Sequence, residues 1–168
     1  MIIRDAAETD AEAIAGIYGH HVLNGTASYD LEPPSAESHR DKIRSVQQAG
    51  WPYIVAEEGG RVTAYAYATQ IRPRAAYRFT AEDSIYVHPD HMRRGIGRAL
   101  LATLLERCSQ CGFGTIIAVI GGAEPASIGL HSALGFHEVG RLKAVGFKFG
   151  RWLDSVYMQR DLPAAPGA

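Results

Sequence analysis

Apolar residues along this chain follow two different spacings, which together predict a mixed α/β protein. Apolar residues three and four positions apart predict a helix that ends near Leu23 and another after Gly97. Helix-boundary residues predict a more polar helix over 35–49, closed by Gly50, and a helix from Pro125 to Gly135. Short β-branched and aromatic runs predict strands over 2–4, 53–57, 62–69, 81–87, 115–120, 136–140 and 152–161, with 143–151 as a loop. We therefore predict one domain over 1–162 and a frayed tail over 163–168.

The composition narrows the class of protein. The chain has 168 residues, about the length of one domain, and is 46% hydrophobic and 21% charged, as soluble globular proteins are. Its 17 basic and 18 acidic residues leave a net charge of −1, without the positive excess that nucleic-acid or membrane-surface binding favours. The first residues lack the order of a signal peptide, and no apolar run approaches the ~18 residues of a membrane span. We predict a cytoplasmic protein that binds neither nucleic acid nor membrane.

The strongest chemical signal is the segment from Arg93 to Arg98, which follows a strand and a tight turn and opens an amphipathic helix. Its glycines, Gly95 and Gly97, let the backbone approach a ligand, and the free N–H groups of a helix N-terminus bind anionic oxygens. The arginines add charge-assisted hydrogen bonds. The segment predicts a pyrophosphate site, with a glycine-rich turn carrying solvated arginines as the alternative. It is no dinucleotide fingerprint, since Leu100 stands where the third glycine would fall.

This segment resembles the acetyl-CoA site of the GNAT N-acetyltransferases. The resemblance is carried by residues 83–101 and by the run from His131 to Phe136. The hallmark of that superfamily is Gln/Arg-x-x-Gly-x-Gly/Ala. With Gly95 and Gly97 as the glycines, Met92 departs from it, whereas the frame Arg94-x-x-Gly97-x-Ala99 satisfies it. The resemblance implies a GNAT fold, a mixed and splayed sheet of about seven strands flanked by helices, with acetyl-CoA as co-substrate and no metal.

A narrower resemblance, to the phosphinothricin and methionine-sulfoximine acetyltransferases, extends over nearly the whole chain. It rests on residues 72–77, 82–87, His131 and the run Val145-Gly-Phe-Lys-Phe-Gly-Arg-Trp-Leu-Asp154. These enzymes acetylate the α-amino group of small amino-acid analogues and are typically homodimers. Glu124 stands where the family usually has the Asn of Asn-x-x-Ser, with Ser127 as the Ser. We expect this departure to weaken acetyl-CoA binding.

The resemblance implies a role for each candidate residue. Amine acetylation needs a base, because an α-ammonium is mostly charged at pH 7. Glu82 matches the family's proposed base, and Asp83, on the opposite face of an alternating strand, is the weaker candidate. His131 either protonates the leaving thiolate or packs and hydrogen-bonds at the end of its helix. The residues expected to bind acetyl-CoA are Ile85, Tyr86, Val87, Arg93, Arg94, Gly95, Ile96, Gly97, Arg98, Glu124 and Ser127.

The substrate is expected to bind at Arg72, Arg74, Tyr77 and Tyr29. A guanidinium fork suits a carboxylate or phosphinate, and the family uses the loop before the catalytic strand for this purpose. The alternative is an exposed basic loop.

Other readings compete with this one. The nearest is an acetyltransferase of peptide or protein N-termini, and a second is a catalytically silent acyl-CoA sensor.

Cys108 and Cys111 have the spacing of half a zinc site, but they fall on an apolar helical stripe without a second ligand pair, so we predict buried structural thiols. The residues around Pro89, including His88 and His91, predict a turn rather than a metal site.

Overall fold

Seven strands and four α-helices make up a computed structural model that describes residues 1–163. Residues 164–168, most of the predicted tail, lie outside the described residues. The strands are β1 (Ile2–Asp5), β2 (Tyr53–Glu58), β3 (Arg61–Gln70), β4 (Thr80–Val87), β5 (Thr115–Gly121), β6 (His137–Lys148) and β7 (Arg151–Asp161). The helices are α1 (Ala11–Asn24), α2 (Ala36–Gln48), α3 (Ile96–Gln110) and α4 (Pro125–Ala133).

One seven-stranded sheet, in the order β1-β2-β3-β4-β5-β7-β6, carries all of these strands. Only β4 and β5 run parallel, and each of the other neighbouring pairs is antiparallel. The prediction of a mixed sheet of about seven strands flanked by helices is confirmed.

The helices bury their apolar stripes on opposite faces of the sheet. Ile14 of α1 and Ile43 of α2 belong to one buried cluster, whereas Leu100 and Cys108 of α3 belong to the other. Cys111 follows the end of α3 and is exposed, so the prediction of a buried thiol is wrong for that residue. No helix in the described part of the chain is long and apolar enough to cross a membrane.

The last two strands are longer than the sequence predicts. Most of the expected loop over 143–151 belongs to β6, which pairs with β7 up to Lys148 and Arg151. Phe149 and Gly150 form the turn, with φ of +53° and +73°, and positive φ at both central residues matches the right-handed twist of a hairpin. The pairing shifts register between Leu142 and Gly146, and this irregularity interrupts the alternation on which a strand prediction depends.

The parallel pair separates before β4 ends. Its last paired residues are Asp83 and Ala118, so residues 84–87 of β4 face a gap instead of a neighbouring strand. The splayed sheet implied by the resemblance has its opening here, and the gap positions the site described below.

Candidate active site

The gap between β4 and β5 opens into two adjoining pockets. The Glu82 pocket, about 500 Å³, takes in Glu82, the end of β5 and part of β7, and the Gly95 pocket, about 550 Å³, takes in the start of α3 and α4. Both are lined by Ala27, Ile85, Tyr86 and Ser127. A ligand extended through the gap would therefore contact both pockets.

Two backbone N–H groups of β4 point into this gap. On the β5 side, Phe79 O accepts hydrogen bonds from Gly114 N and Thr115 N. On the β3 side, His88 N donates to Thr63 O. Because strand residues direct their polar backbone groups to alternate sides, odd-numbered residues of β4 face β5. The N–H groups of Ile85 and Val87 therefore face the gap, beyond the last β4–β5 pair, and can bind a ligand oxygen.

His21 on α1 forms a hydrogen bond with a backbone carbonyl that faces the same gap. Its Nε2 donates to Val87 O at 2.8 Å, and burial lowers its pKa, so the ring is neutral with the proton on Nε2. The ring lines the Gly95 pocket. Sequence reasoning missed this residue because its spacing on α1 resembles that of the buried apolar positions.

The start of α3 lies at Gly95–Gly97, and its backbone around the unpaired N–H groups is called the cradle here. Gly95 is the N-cap of α3, with φ of +80°, a conformation that favours glycine. The first helical hydrogen bond runs from Ala99 N to Gly95 O, so the N–H groups of residues 95–98 have no helical partner. Of the two frames of the hallmark motif, one ends at Gly97 and the other at Ala99. The N–H of Ala99 is bonded within the helix and that of Gly97 is not, so the frame with Gly95 and Gly97 matches the free N–H groups. Met92 is then the departing residue, and it lines the pocket.

Two of the three arginines in this segment line the pocket, and the third forms an ion pair elsewhere. Arg93 and Arg98 line the Gly95 pocket. Arg94 instead forms an ion pair with Glu58, 3.3 Å apart, at the end of β2. The side chain of Ile96 is buried in the core, so this residue can offer a ligand only its backbone N–H.

The first turn of α4 closes the other side of the Gly95 pocket. Glu124 is the N-cap of α4 but makes no side-chain capping bond, and it lines the pocket together with Ser127. An acidic side chain therefore faces the pocket where the resemblance leads us to expect an amide.

Residues 88–91 form a turn after β4, as the sequence predicts. His88 Nδ1 accepts a hydrogen bond from Asp90 N at 3.2 Å, and the His91 side chain lies 3.2 Å from Glu58. Within residues 1–163, no three His, Cys, Asp or Glu side chains gather as a metal site would require.

Glu82 is half-buried on the wall of the pocket named after it. The β3–β4 register is continuous, so Glu82 and Asp83 lie on opposite faces as predicted. Burial raises the pKa of Glu82 above its ordinary value; the positive charges of Arg72 and Lys42 oppose this rise and the charge of Asp83 adds to it. A carboxylate with a raised pKa is suited to accept a proton near neutral pH.

Asp83 and His131 form a buried pair between β4 and α4. His131 Nε2 lies 3.1 Å from Asp83 Oδ2, and His131 Nδ1 lies 2.7 Å from Ser127 O. Burial alone would lower the pKa of His131, but the bond and charge of Asp83, helped by Ser127, raise it overall. Both ring nitrogens are engaged, which fits the expectation that His131 packs and hydrogen-bonds at the end of its helix. Donation of a proton to a thiolate stays a prediction.

The basic loop before β4 stands beside the Glu82 pocket rather than in its described lining. Arg72, Arg74 and Tyr77 are exposed, and Arg72 is close enough to lower the pKa of Glu82. Lys42 of α2 acts on Glu82 in the same direction, and its Nζ lies 5.2 Å from the centre of the Tyr67 ring. Sequence reasoning missed Lys42 because the exposed face of a polar helix carries many such side chains.

Tyr29 lines the Glu82 pocket. Its hydroxyl forms hydrogen bonds with Asp154, Gly122 and Ser155. The residues beside it, Ser28 and Asp30, also line the pocket and hydrogen-bond to Tyr18.

Comparison with known proteins identifies the family. Residues 3–157 match the family described as Acetyltransferase (GNAT) domain. The chain belongs to the GNAT acetyltransferases. The family, fold and acetyltransferase class predicted from the sequence are thereby confirmed.

Similar proteins cover nearly the whole chain. It is 50% identical over 163 residues to the phosphinothricin N-acetyltransferase of Alcaligenes faecalis, which covers 96% of this chain and 83% of that one. It is 40% identical over 170 residues to the L-methionine sulfoximine/L-methionine sulfone acetyltransferase of Salmonella typhimurium, covering 100% and 99%. A crystal structure of a phosphinothricin acetyltransferase from Sinorhizobium meliloti in complex with AcCoA matches with a TM-score of 0.95 and 49% identity, covering 99% of this chain and 91% of that one.

Proposed function

We propose that this protein transfers the acetyl group of acetyl-CoA to the α-amino group of small amino-acid analogues of the phosphinothricin, methionine sulfoximine or methionine sulfone type. One observation carries the proposal. Glu82, a half-buried carboxylate with a raised pKa, shares a pocket with the β4 segment whose free N–H groups face the gap, and the Gly95 pocket adjoins it. The base, the carbonyl-binding groups and the anion site thus lie along one path.

The Gly95 pocket fits acetyl-CoA, which supplies the acetyl group as a thioester. The free N–H groups of residues 95–98, with Arg93 and Arg98 beside them, suit a pyrophosphate. The N–H groups of Ile85 and Val87 are the donors available to a thioester carbonyl oxygen.

Glu82 acts as the base of a direct transfer. It takes one proton from the ammonium, directly or through water, and the neutral amine nitrogen then bonds to the acetyl carbon as the carbon–sulfur bond breaks with its electron pair on sulfur. The nitrogen gives up a second proton, which the thiolate takes up, so that the products are the amide and the free thiol of CoA. Cys108 is buried in the core and Cys111 lies at the far end of α3, so neither is placed to carry an acetyl group.

The anionic end of the substrate binds near Arg72, with Lys42 as a second cation. Both charges act on Glu82, so a carboxylate or phosphinate held between them would place its α-amino group beside the base. Arg74 and Tyr77, farther along the same loop, stay predicted substrate contacts.

The test is thiol release from acetyl-CoA with phosphinothricin, methionine sulfoximine, methionine sulfone, ordinary amino acids and short peptides. We expect release with the sulfone, sulfoximine or phosphinate, and a loss of about 10²–10⁴-fold in kcat for Glu82→Gln with acetyl-CoA binding unchanged. Release with peptides alone would favour an N-terminal acetyltransferase. Tight acetyl-CoA binding without any release would favour a silent sensor.

We further propose that the protein is a homodimer joined through the β6–β7 hairpin. β6 is an edge strand of the sheet. Val145 and Phe147 on β6 and Phe149 in the following turn are exposed, alternating with the buried Gly146 and Lys148. In a dimer with twofold symmetry, this edge and its apolar surface would pack against the same surface of a second copy of the chain. The cytoplasmic location remains a prediction.

A further inference from the structure

Residues 25–30, here called the strap, form a wall that the two pockets share. Residues 25–27 line the Gly95 pocket and residues 27–30 line the Glu82 pocket. The strap follows α1 directly and packs against the carboxyl end of β5. Its position therefore affects the shape of both pockets at once.

The Tyr29 hydroxyl fastens the strap to two strands. It donates to Asp154 O at 2.7 Å and accepts from Gly122 N at 3.1 Å and from Ser155 Oγ at 3.0 Å. A phenolic hydroxyl offers one donor and two acceptor positions, so all three are used. The hydroxyl has no hydrogen bond left for a ligand.

Glycines on the neighbouring strands make room for this arrangement. A Cβ at Gly146 would lie 2.7 Å from Cε2 and Cζ of the Tyr29 ring. A Cβ at Gly121 would lie 2.8 Å from Thr26 O and 3.1 Å from Tyr29 Cε1. Since real Cβ atoms do not approach so closely, the strap and these strands fit together only with glycine at both positions.

Two other side chains hold the middle of the strap. Lys148 Nζ, buried at the end of β6, donates to Ser28 O at 2.8 Å. Tyr18 Oη lies 2.7 Å from Ser28 Oγ and donates to Asp30 Oδ2 at 2.7 Å. Loss of the Tyr29 hydroxyl would therefore loosen the strap from β5 and β7 without releasing it from α1 and β6.

We propose that Tyr29 is a positioning residue whose hydroxyl fixes the strap and thereby sets the affinity of both pockets together. The proposal rests on the proposed function, because it assigns acetyl-CoA to the Gly95 pocket and the amine to the Glu82 pocket. It differs from the expectation that Tyr29 binds the substrate, since the three hydrogen bonds of its hydroxyl all go to the protein. A residue that only contacts substrate would change one affinity, whereas a residue that holds a shared wall changes two.

The deciding variant is Tyr29→Phe, which removes one oxygen atom and keeps the ring. We expect the KM for the amine and the Kd for acetyl-CoA each to rise about fivefold or more, as the loss of roughly one net hydrogen bond at each pocket would cause. Amide hydrogen exchange in residues 25–30 of the ligand-free protein should become faster. Gly146→Ala, which displaces the ring, should shift the same three quantities in the same direction.

The matched control is Tyr53→Phe. The Tyr53 hydroxyl is buried without a hydrogen-bond partner among the described residues, so its removal takes away an oxygen but no bond, and both affinities and the exchange of the strap should stay as in the wild type. An amine KM that rises alone in Tyr29→Phe, with strap exchange and acetyl-CoA Kd unchanged, would overturn the positioning role. A wild type that acetylates none of the compounds would contradict the proposed function instead, because exchange and acetyl-CoA binding need no turnover.

Discussion

Glu82 is subject to opposing influences that a variant can separate. Burial raises its pKa, the Arg72 and Lys42 charges lower it, and the Asp83 charge raises it. The net direction is upward, so burial outweighs the two cations. With Glu82 as the proposed base, we expect activity to fall at low pH, as the carboxylate takes up a proton at a pKa above the ordinary carboxyl value.

We expect Arg72→Ala to raise the pKa of Glu82 further. Removal of a nearby positive charge disfavours the carboxylate, so the acid limb of the kcat/KM profile should move to higher pH. The amine KM should rise as well, because the substrate anion loses a partner. The control is Arg78→Ala, since the Arg78 guanidinium lies over the Phe79 ring, 4.4 Å from its centre, and this variant should keep the wild-type limb. An acid limb that stays in place in Arg72→Ala would show that Glu82 is not the titrating group.

Between elements, the Asp83–His131 pair ties α4 to β4. Its side chains are 2% and 3% exposed, and the carboxylate raises the pKa of His131 against the effect of burial. The folded protein therefore favours the imidazolium. The resulting stabilisation is complete below the unfolded histidine pKa of about 6.5 and is lost as the pH rises through the higher folded value.

We expect this pair to make stability depend on pH. The free energy of unfolding of the wild type, measured with urea, should fall as the pH rises above about 6.5. In His131→Leu this decline should disappear, and stability at neutral pH should be lower by about 3 kcal/mol or more because Asp83 loses its partner. His137→Gln, an exposed histidine at the start of β6, should keep the wild-type slope. A slope in His131→Leu equal to that of the wild type would contradict the assignment.

Elements built from neighbouring residues could be predicted from the sequence, and contacts between distant residues could not. The cradle was found because its glycines, arginines and helix start lie within six residues, and the faces of β4 followed from alternation that no bulge interrupts. Asp83 and His131 are 48 positions apart, and the Tyr29 hydroxyl bonds residues 93 to 126 positions away. No local pattern signals such pairs. The extent of β6 was predicted wrongly for the same reason. Gly146 lies within this strand, and the glycine there leaves room for the ring of Tyr29, which is 117 positions away in the sequence.

At the scale of the whole molecule, the β6–β7 hairpin at one edge of the sheet carries a group of exposed apolar side chains. Phe147, Phe149 and Trp152 are each more than half exposed, and the Phe147 and Trp152 rings lie 5.1 Å apart across the hairpin. A patch of this kind on an edge strand invites pairing. Leu142 and Val145, on the same hairpin, line the Glu82 pocket, so a second copy seated here would stand next to the substrate.

We expect the wild type to sediment with twice the mass of one chain at micromolar concentration, and Phe147→Lys to sediment as a single chain. A lysine ammonium would have to be buried without a partner in the pairing surface, which costs more than the contact gains. The control is Leu23→Lys, which places the same charge on an exposed apolar residue of α1 and should leave the dimer intact. The single-chain variant should also have a higher KM for the amine, because Leu142 and Val145 border both the hairpin surface and the pocket. A wild type of single-chain mass, or a Phe147→Lys variant that remains paired, would rule out this surface as the dimer contact.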